Sequence, residues 1–193
     1  MLRIRLKCRP IALSISFILM AILALSGAGS AFADGGGSVS TTITGGSLSE
    51  TITVPTVDNA TLDGTDKNLT ITMPIAVIDA TGSGSGWKVT ITSTTFSTGG
   101  GSPHTLTTAP VVSAVSVACV SGSTCTDPTN AITYNLTVPS GSPAPTAVKL
   151  FNAAVGTGMG KFTLTPTLTL KLLSNVYAGT YSSTFTLAIS SGP

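Results

Sequence analysis

From residue 48 onward the chain alternates apolar and small polar residues with a period of two. Ile52 and Val54 alternate with Thr51 and Thr53, and Leu69, Ile71 and Met73 with Thr70 and Thr72. Trp87, Val89 and Ile91 share a face opposite Lys88 and Thr90; Val115, Val117 and Cys119 share another. Ile132, Tyr134, Leu136 and Val138 face away from Thr133, Asn135 and Thr137. Phe162, Leu164, Leu168 and Leu170 alternate with threonines, and Phe185, Leu187 and Ile189 close the series. Such alternation predicts strands buried on one face. The β-branched Thr and Val also disfavour helix. Between the runs lie turn residues: Asp63-Gly64, Gly82 to Gly86, Gly99 to Pro103, Ser140 to Pro145, Gly156 to Gly160 and Ala178-Gly179. Short antiparallel strands with such turns predict an all-β fold, a single antiparallel β-sandwich over residues 48–193. Pro166 cannot donate to a ladder, so its strand is expected at an edge or bulged. Gly35-Gly36-Gly37 marks residues 34–47 as a flexible lead-in.

The first 33 residues follow a different pattern. Arg3, Arg5, Lys7 and Arg9 precede an apolar run from Ile11 to about Leu25, and small residues lead to Ala31-Phe32-Ala33 before Asp34. Charge, short apolar middle and an A-x-A site are the parts of a secretory signal peptide, with cleavage expected between Ala33 and Asp34. The alternative, an uncleaved anchor, is disfavoured because a span needs about 20 apolar residues. Cys8 lies ahead of the apolar run and would leave with the peptide.

Removing the signal inverts the charge. Five lysines (Lys67, Lys88, Lys149, Lys161, Lys171) then stand against seven acids, a formal charge of −2. No basic patch remains to neutralise a row of phosphates, so nucleic acid is not expected as a partner. No membrane span is expected in the mature chain. Cys119 and Cys125 remain, and outside the cell a pair is most simply a disulfide. The residues between them, Val-Ser-Gly-Ser-Thr, suit a turn joining two strands, so the bridge is expected to clip a hairpin. A zinc site would need about four ligands, and His104 is the only histidine.

A search for chemistry yields little. His104 lies in a Gly-Ser-Pro loop, and no Ser-His-Asp or Cys-His set can be assembled from spacing. Asp58, Asp63 and Asp66 lack the glycine and terminal Glu of a calcium hand. Gly156-Thr-Gly-Met-Gly160-Lys161 fails as a phosphate loop, since Val155 stands at the first glycine position and Phe162 replaces the Ser or Thr. No enzyme activity, cofactor or metal is expected.

Two segments resemble the WxL domain of Gram-positive surface proteins. Trp87-Lys88-Val89 corresponds to the family's Trp-x-Leu, with Val89 in place of Leu. Tyr181-Ser-Ser-Thr-Phe185-Thr186-Leu187-Ala188-Ile189-Ser-Ser-Gly-Pro193 keeps the spacing of the second motif. There Phe185 replaces an aliphatic residue and Leu187-Ala188-Ile189 the second Trp-x-Leu. The resemblance runs over residues 35 to 193. It implies a secreted surface protein held non-covalently on the cell wall, with peptidoglycan as the ligand and other surface proteins as a second class of partner.

The residues also carry a plainer reading. Positions i and i+2 on a strand share a face, so Trp87 with Val89, and Leu187 with Ile189, read equally as core. Tyr181 reads as a corner residue whose hydroxyl bonds backbone. An alternative function is a structural or adhesive coat subunit assembling through strand edges. A secreted enzyme with a site built from scattered loop residues is a third. The absence of a C-terminal apolar span or sorting signal favours non-covalent attachment.

Overall fold

The computed structural model describes residues 39–193. The expected signal peptide, its Ala33–Asp34 cleavage site and Cys8 lie outside the described residues. Residues 39–42 form no element, and a compact unit runs from Ile43 to Pro193. Its first strands are β1 (Leu48–Ile52), β2 (Thr56–Val57), β3 (Lys67–Thr72), β4 (Ile75–Asp79) and β5 (Trp87–Thr94). There follow β6 (Val111–Cys119), β7 (Leu136–Thr137), β8 (Ser140–Gly141), β9 (Val148–Ala153), β10 (Gly160–Leu172) and β11 (Phe185–Ser191). The described residues contain no helix, and so none long and apolar enough to cross a membrane.

Two sheets form the sandwich. The first is organised on β10, which pairs β3 and β4 on one side and β6 on the other. Thr72 opposes Thr167 and Ile75 opposes Leu164, one register on both sides of Met73-Pro74. β3 and β4 are therefore a single long strand interrupted where Pro74 can donate nothing. β1 and β2 flank this ribbon in the same way, pairing β4 and β3 in turn. The second sheet is organised on β5, with β11 on one side and β9 and the two-residue parallel β8 on the other.

The core lies between the sheets. Ile71, Met73, Ile75, Val77, Phe162, Leu164, Leu168 and Leu170 face Trp87, Val89, Ile91, Phe151 and Ala153, all buried. Along β10 every second residue from Phe162 to Leu172 is buried. Each large side chain sealed this way contributes about 1.5–3 kcal/mol.

Several expectations need correction. β10 is central in its sheet, so Pro166 does not mark an edge. A bulge does occur one residue away: Ala114 opposes Thr167 and Val112 opposes Leu168, leaving Ser113 extra. Its hydroxyl donates to the Thr167 carbonyl at 3.0 Å. Val54 is 82% exposed; it lies in the gap between β1 and β2, across which the register against β4 and β3 shifts by one residue. Val117, opposite buried Leu164, is itself 36% exposed: on β6 burial holds at Val112 and Val115 and is lost toward the end of the strand. The run from Ile132 to Val138 keeps its alternating burial but forms a strand only at Leu136–Thr137. Asn135 has φ 53°, in the left-handed region, which breaks the extended backbone.

Candidate functional site

Trp87 opens β5 and is fully buried. Its ring stacks on Phe151, with centroids 5.7 Å apart, and its indole Nε1 donates to the Gly158 carbonyl at 2.8 Å. That pairing satisfies the one polar atom of a side chain that otherwise belongs in the core. The Gly156–Gly160 segment is thus a cap over Trp87. Gly158 has φ 76°, and a Cβ there would lie 2.5 Å from the Ala153 Cβ and 2.6 Å from Trp87 Nε1. Only glycine fits both the conformation and the space.

The disulfide supports the cap. Cys119 and Cys125 are bridged, with Cα atoms 6.0 Å apart. The bridge closes a turn at the end of β6, but no strand follows, so the expected hairpin is only half present. Instead the chain runs beside the glycine segment. Thr126 N donates to Met159 O at 2.9 Å, and Gly158 N donates to Thr126 O at 2.8 Å. A Cβ on Gly160 would lie 3.1 Å from Cys125 Sγ. The result is one connected unit: disulfide, residues 125–126, glycine cap, Trp87.

Downstream, Thr129 to Tyr134 runs along the edge of β9. Ala154 N donates to Thr129 O, and Asn152 N to the Asn130 Oδ1 at 3.1 Å. Asn130 Nδ2 donates to the Tyr134 hydroxyl, which in turn donates to Leu150 O. Burial pushes the Tyr134 phenol above its ordinary value. Side-chain amides here take the place of a strand ladder and cover that edge.

The two sequence motifs lie on neighbouring strands. Ile189 opposes Val89, Leu187 opposes Ile91 and Ser191 opposes Trp87. Leu187 and Ile189 are half-buried against the core, whereas Thr186, Ala188 and Ser190 face outward. Gly192 N donates to Gly86 O at 3.0 Å, and Lys88 Nζ to Gly192 O at 3.3 Å. Pro193 is exposed beside this tie. Tyr181 packs on the core and donates its hydroxyl to the Tyr177 carbonyl, four residues upstream, at 2.9 Å.

No catalytic arrangement is visible around these groups. Among the described residues, no group of three or more His, Cys, Asp or Glu is placed to hold a metal. Asp63 binds Lys67 at 2.7 Å and Thr65, and Asp66 binds Lys171 at 2.9 Å and Ser174 N at 3.0 Å. Those lysine contacts first, then the Thr65 and Ser174 bonds, hold both carboxyls below the ordinary range. Asp79 is buried and accepts from the Thr81 N–H and hydroxyl, an Asx turn that ends β4. All three acids are occupied in local structure.

The sequence reading missed the role of the glycine segment. Its signal was available as glycines at three alternate positions, 156, 158 and 160, but nothing in the sequence names the ring beneath. No curated protein and no solved structure matches this chain. The family model described as WxL domain surface cell wall-binding matches residues 40–193. The match spans the sandwich, both motif strands and the disulfide, and its description is that of a wall-binding domain family. The chain belongs to the WxL domain family of surface cell wall-binding proteins.

Proposed function

We propose that the chain is exported by residues 1–33, cleaved at Ala33–Asp34, and then held non-covalently on the wall with peptidoglycan as its ligand. The observation that carries this reading is the family match over residues 40–193. Trp87, Val89, Leu187 and Ile189 act through the fold: each is buried or half-buried, and none offers a ring to a ligand. Residues 48–193 are the binding domain and residues 34–47 a lead-in. The wall contact is binding without turnover, and no cofactor takes part.

The test is sedimentation of purified chain, starting at Asp34, with isolated Gram-positive walls and with sacculi stripped of their accessory polymers. Co-sedimentation with both supports peptidoglycan. Binding only to unstripped walls shifts the ligand to an accessory polymer, and binding to neither refutes the reading. N-terminal sequencing of secreted protein checks the cleavage.

One observation favours assembly through strand edges as a second reading. β11 pairs only β5, and its seven residues, Phe-Thr-Leu-Ala-Ile-Ser-Ser, include no charge and no proline. Edges are usually guarded by such residues, and the β9 edge is covered. Polymers of the purified chain in sedimentation velocity would support this reading.

A further inference from the structure

At the other end of the sandwich from Trp87, an aromatic ring is presented rather than buried. Tyr177 lies in the loop before β11 and is 65% exposed. It is the only aromatic among the exposed large hydrophobic side chains of the described residues. His104, from the loop after β5, stacks on it with centroids 3.8 Å apart and planes within 12°. One face of the phenol is therefore covered by the imidazole, and its exposure comes from the opposite face and the rim.

The pair is held from both sides. Thr98 N donates to His104 O at 3.0 Å, and His104 N donates to Thr98 Oγ1 at 3.0 Å. The Tyr181 hydroxyl fixes the Tyr177 carbonyl. Ser97 and Ser182 exchange backbone bonds of 3.0 and 2.9 Å, joining the two loops. Gly179 packs where a Cβ would lie 3.0 Å from Thr98 Cγ2. Two loops distant in sequence are thus tied together with a flat ring at their crest.

We infer that the outward face of Tyr177, backed by His104, is a glycan-binding platform on which a pyranose ring of the wall's sugar strand stacks. An aromatic face with a polar rim matches a sugar, which offers C–H groups on its ring faces and hydroxyls at its edge. The surroundings favour this over a protein partner. No other exposed large hydrophobic side chain lies in residues 95–110 or 173–184, so the ring has no apolar neighbours of the kind that form the buried core of a protein interface. Ser102, Asn175 and Thr180, in the same loops, are exposed and polar. The inference deepens the wall-binding reading by assigning it a contact surface.

His104, the only histidine of the chain, gives a direct probe. Chitin oligosaccharides and muramidase-released glycan fragments are titrated into the chain starting at Asp34 while the His104 and Tyr177 ring resonances are followed by NMR. Stacking predicts a saturable shift of both. Tyr177→Ala, which keeps the backbone carbonyl bonded by Tyr181, should weaken binding about tenfold or more. Tyr177→Phe should retain it. An unchanged near-UV signal from Trp87 shows that each variant is folded. Absence of a shift with either sugar, or equal binding by Tyr177→Ala, overturns the platform. If wild type and Tyr177→Ala sediment equally with walls, wall binding stands and the platform fails. If wild type fails to sediment yet the oligosaccharides shift both rings, the platform stands and wall attachment fails.

Discussion

The two ends of the sandwich use aromatic rings in opposite ways. At one end Trp87 is sealed under a glycine segment, its only polar atom bonded to Gly158, with a disulfide behind the cap. At the other, Tyr177 lies open on a loop, stacked on His104 and 65% exposed. The motif tryptophan is the hidden ring, and the exposed ring lies outside the Tyr181–Pro193 motif. A sequence motif built on a strand with period two marks what the sheets need to pack. The surface that meets a ligand sits on loops that the sheets position.

The sharpest way to break this comparison is to remove the hidden ring. Trp87→Ala empties a fully buried site, removes the contact with Phe151 and leaves the Gly158 carbonyl without its donor. We expect a loss of about 3–5 kcal/mol in chemical denaturation. Tyr177→Ala should leave the melting curve within about 0.5 kcal/mol of wild type. If Trp87→Ala stays as stable as wild type, the account of the motif as packing is wrong.

The disulfide comes next. It closes a short loop, six residues in sequence separation, so the chain-entropy contribution is about 2 kcal/mol. Replacing both cysteines by Ala should lower stability by that amount. The effect should also be local. Amide exchange should quicken at Thr126 and Gly158, whose hydrogen bonds tie the cap to the bridged segment. The amides of Ser97, Thr98 and Ser182 should keep their protection relative to the global stability. Equal quickening at both ends would mean that the bridge supports the whole fold rather than the cap.

Much of this architecture was legible in the alternation of residues. β3, β5, β10 and β11 were each visible as period-two runs, and the pairing of Cys119 with Cys125 followed from composition and compartment. What escaped has physical causes. β9 hides its pattern because it bulges opposite Val89 and Thr90 of β5, where Leu150 is the extra residue and both Leu150 and Phe151 are buried as neighbours. β4 is a continuation of β3 that Pro74 disguises as a new segment. The stretch from Ile132 to Val138 alternates correctly, but its first half bonds through Asn130 Oδ1, and only Leu136–Thr137 joins a ladder, against β6. Neither the partner of Trp87 at residue 158 nor that of His104 at residue 177 could be read locally, because each contact spans more than 70 positions.

The smallest expected effect concerns acid, and it separates the two ends from the opposite direction. Lys171 and Ser174 N both bond Asp66, at the base of the loop that leads to Tyr177. These contacts lower the Asp66 carboxyl below its ordinary value of 3.8 in the folded chain. A lowered folded value means that the unfolded chain takes up the proton first as pH falls. The stabilisation is therefore complete above the ordinary carboxylate range and is lost as pH falls through the folded value. Because the pair is exposed and screened, global stability should change little. The readout is local: below pH 4, backbone amides from Leu173 to Tyr177 should lose protection before those of Gly158. Asp66→Asn should show the same loosening at neutral pH and no further change on acidification. If the Trp87 end loosens first instead, the carboxylate does not govern the open end.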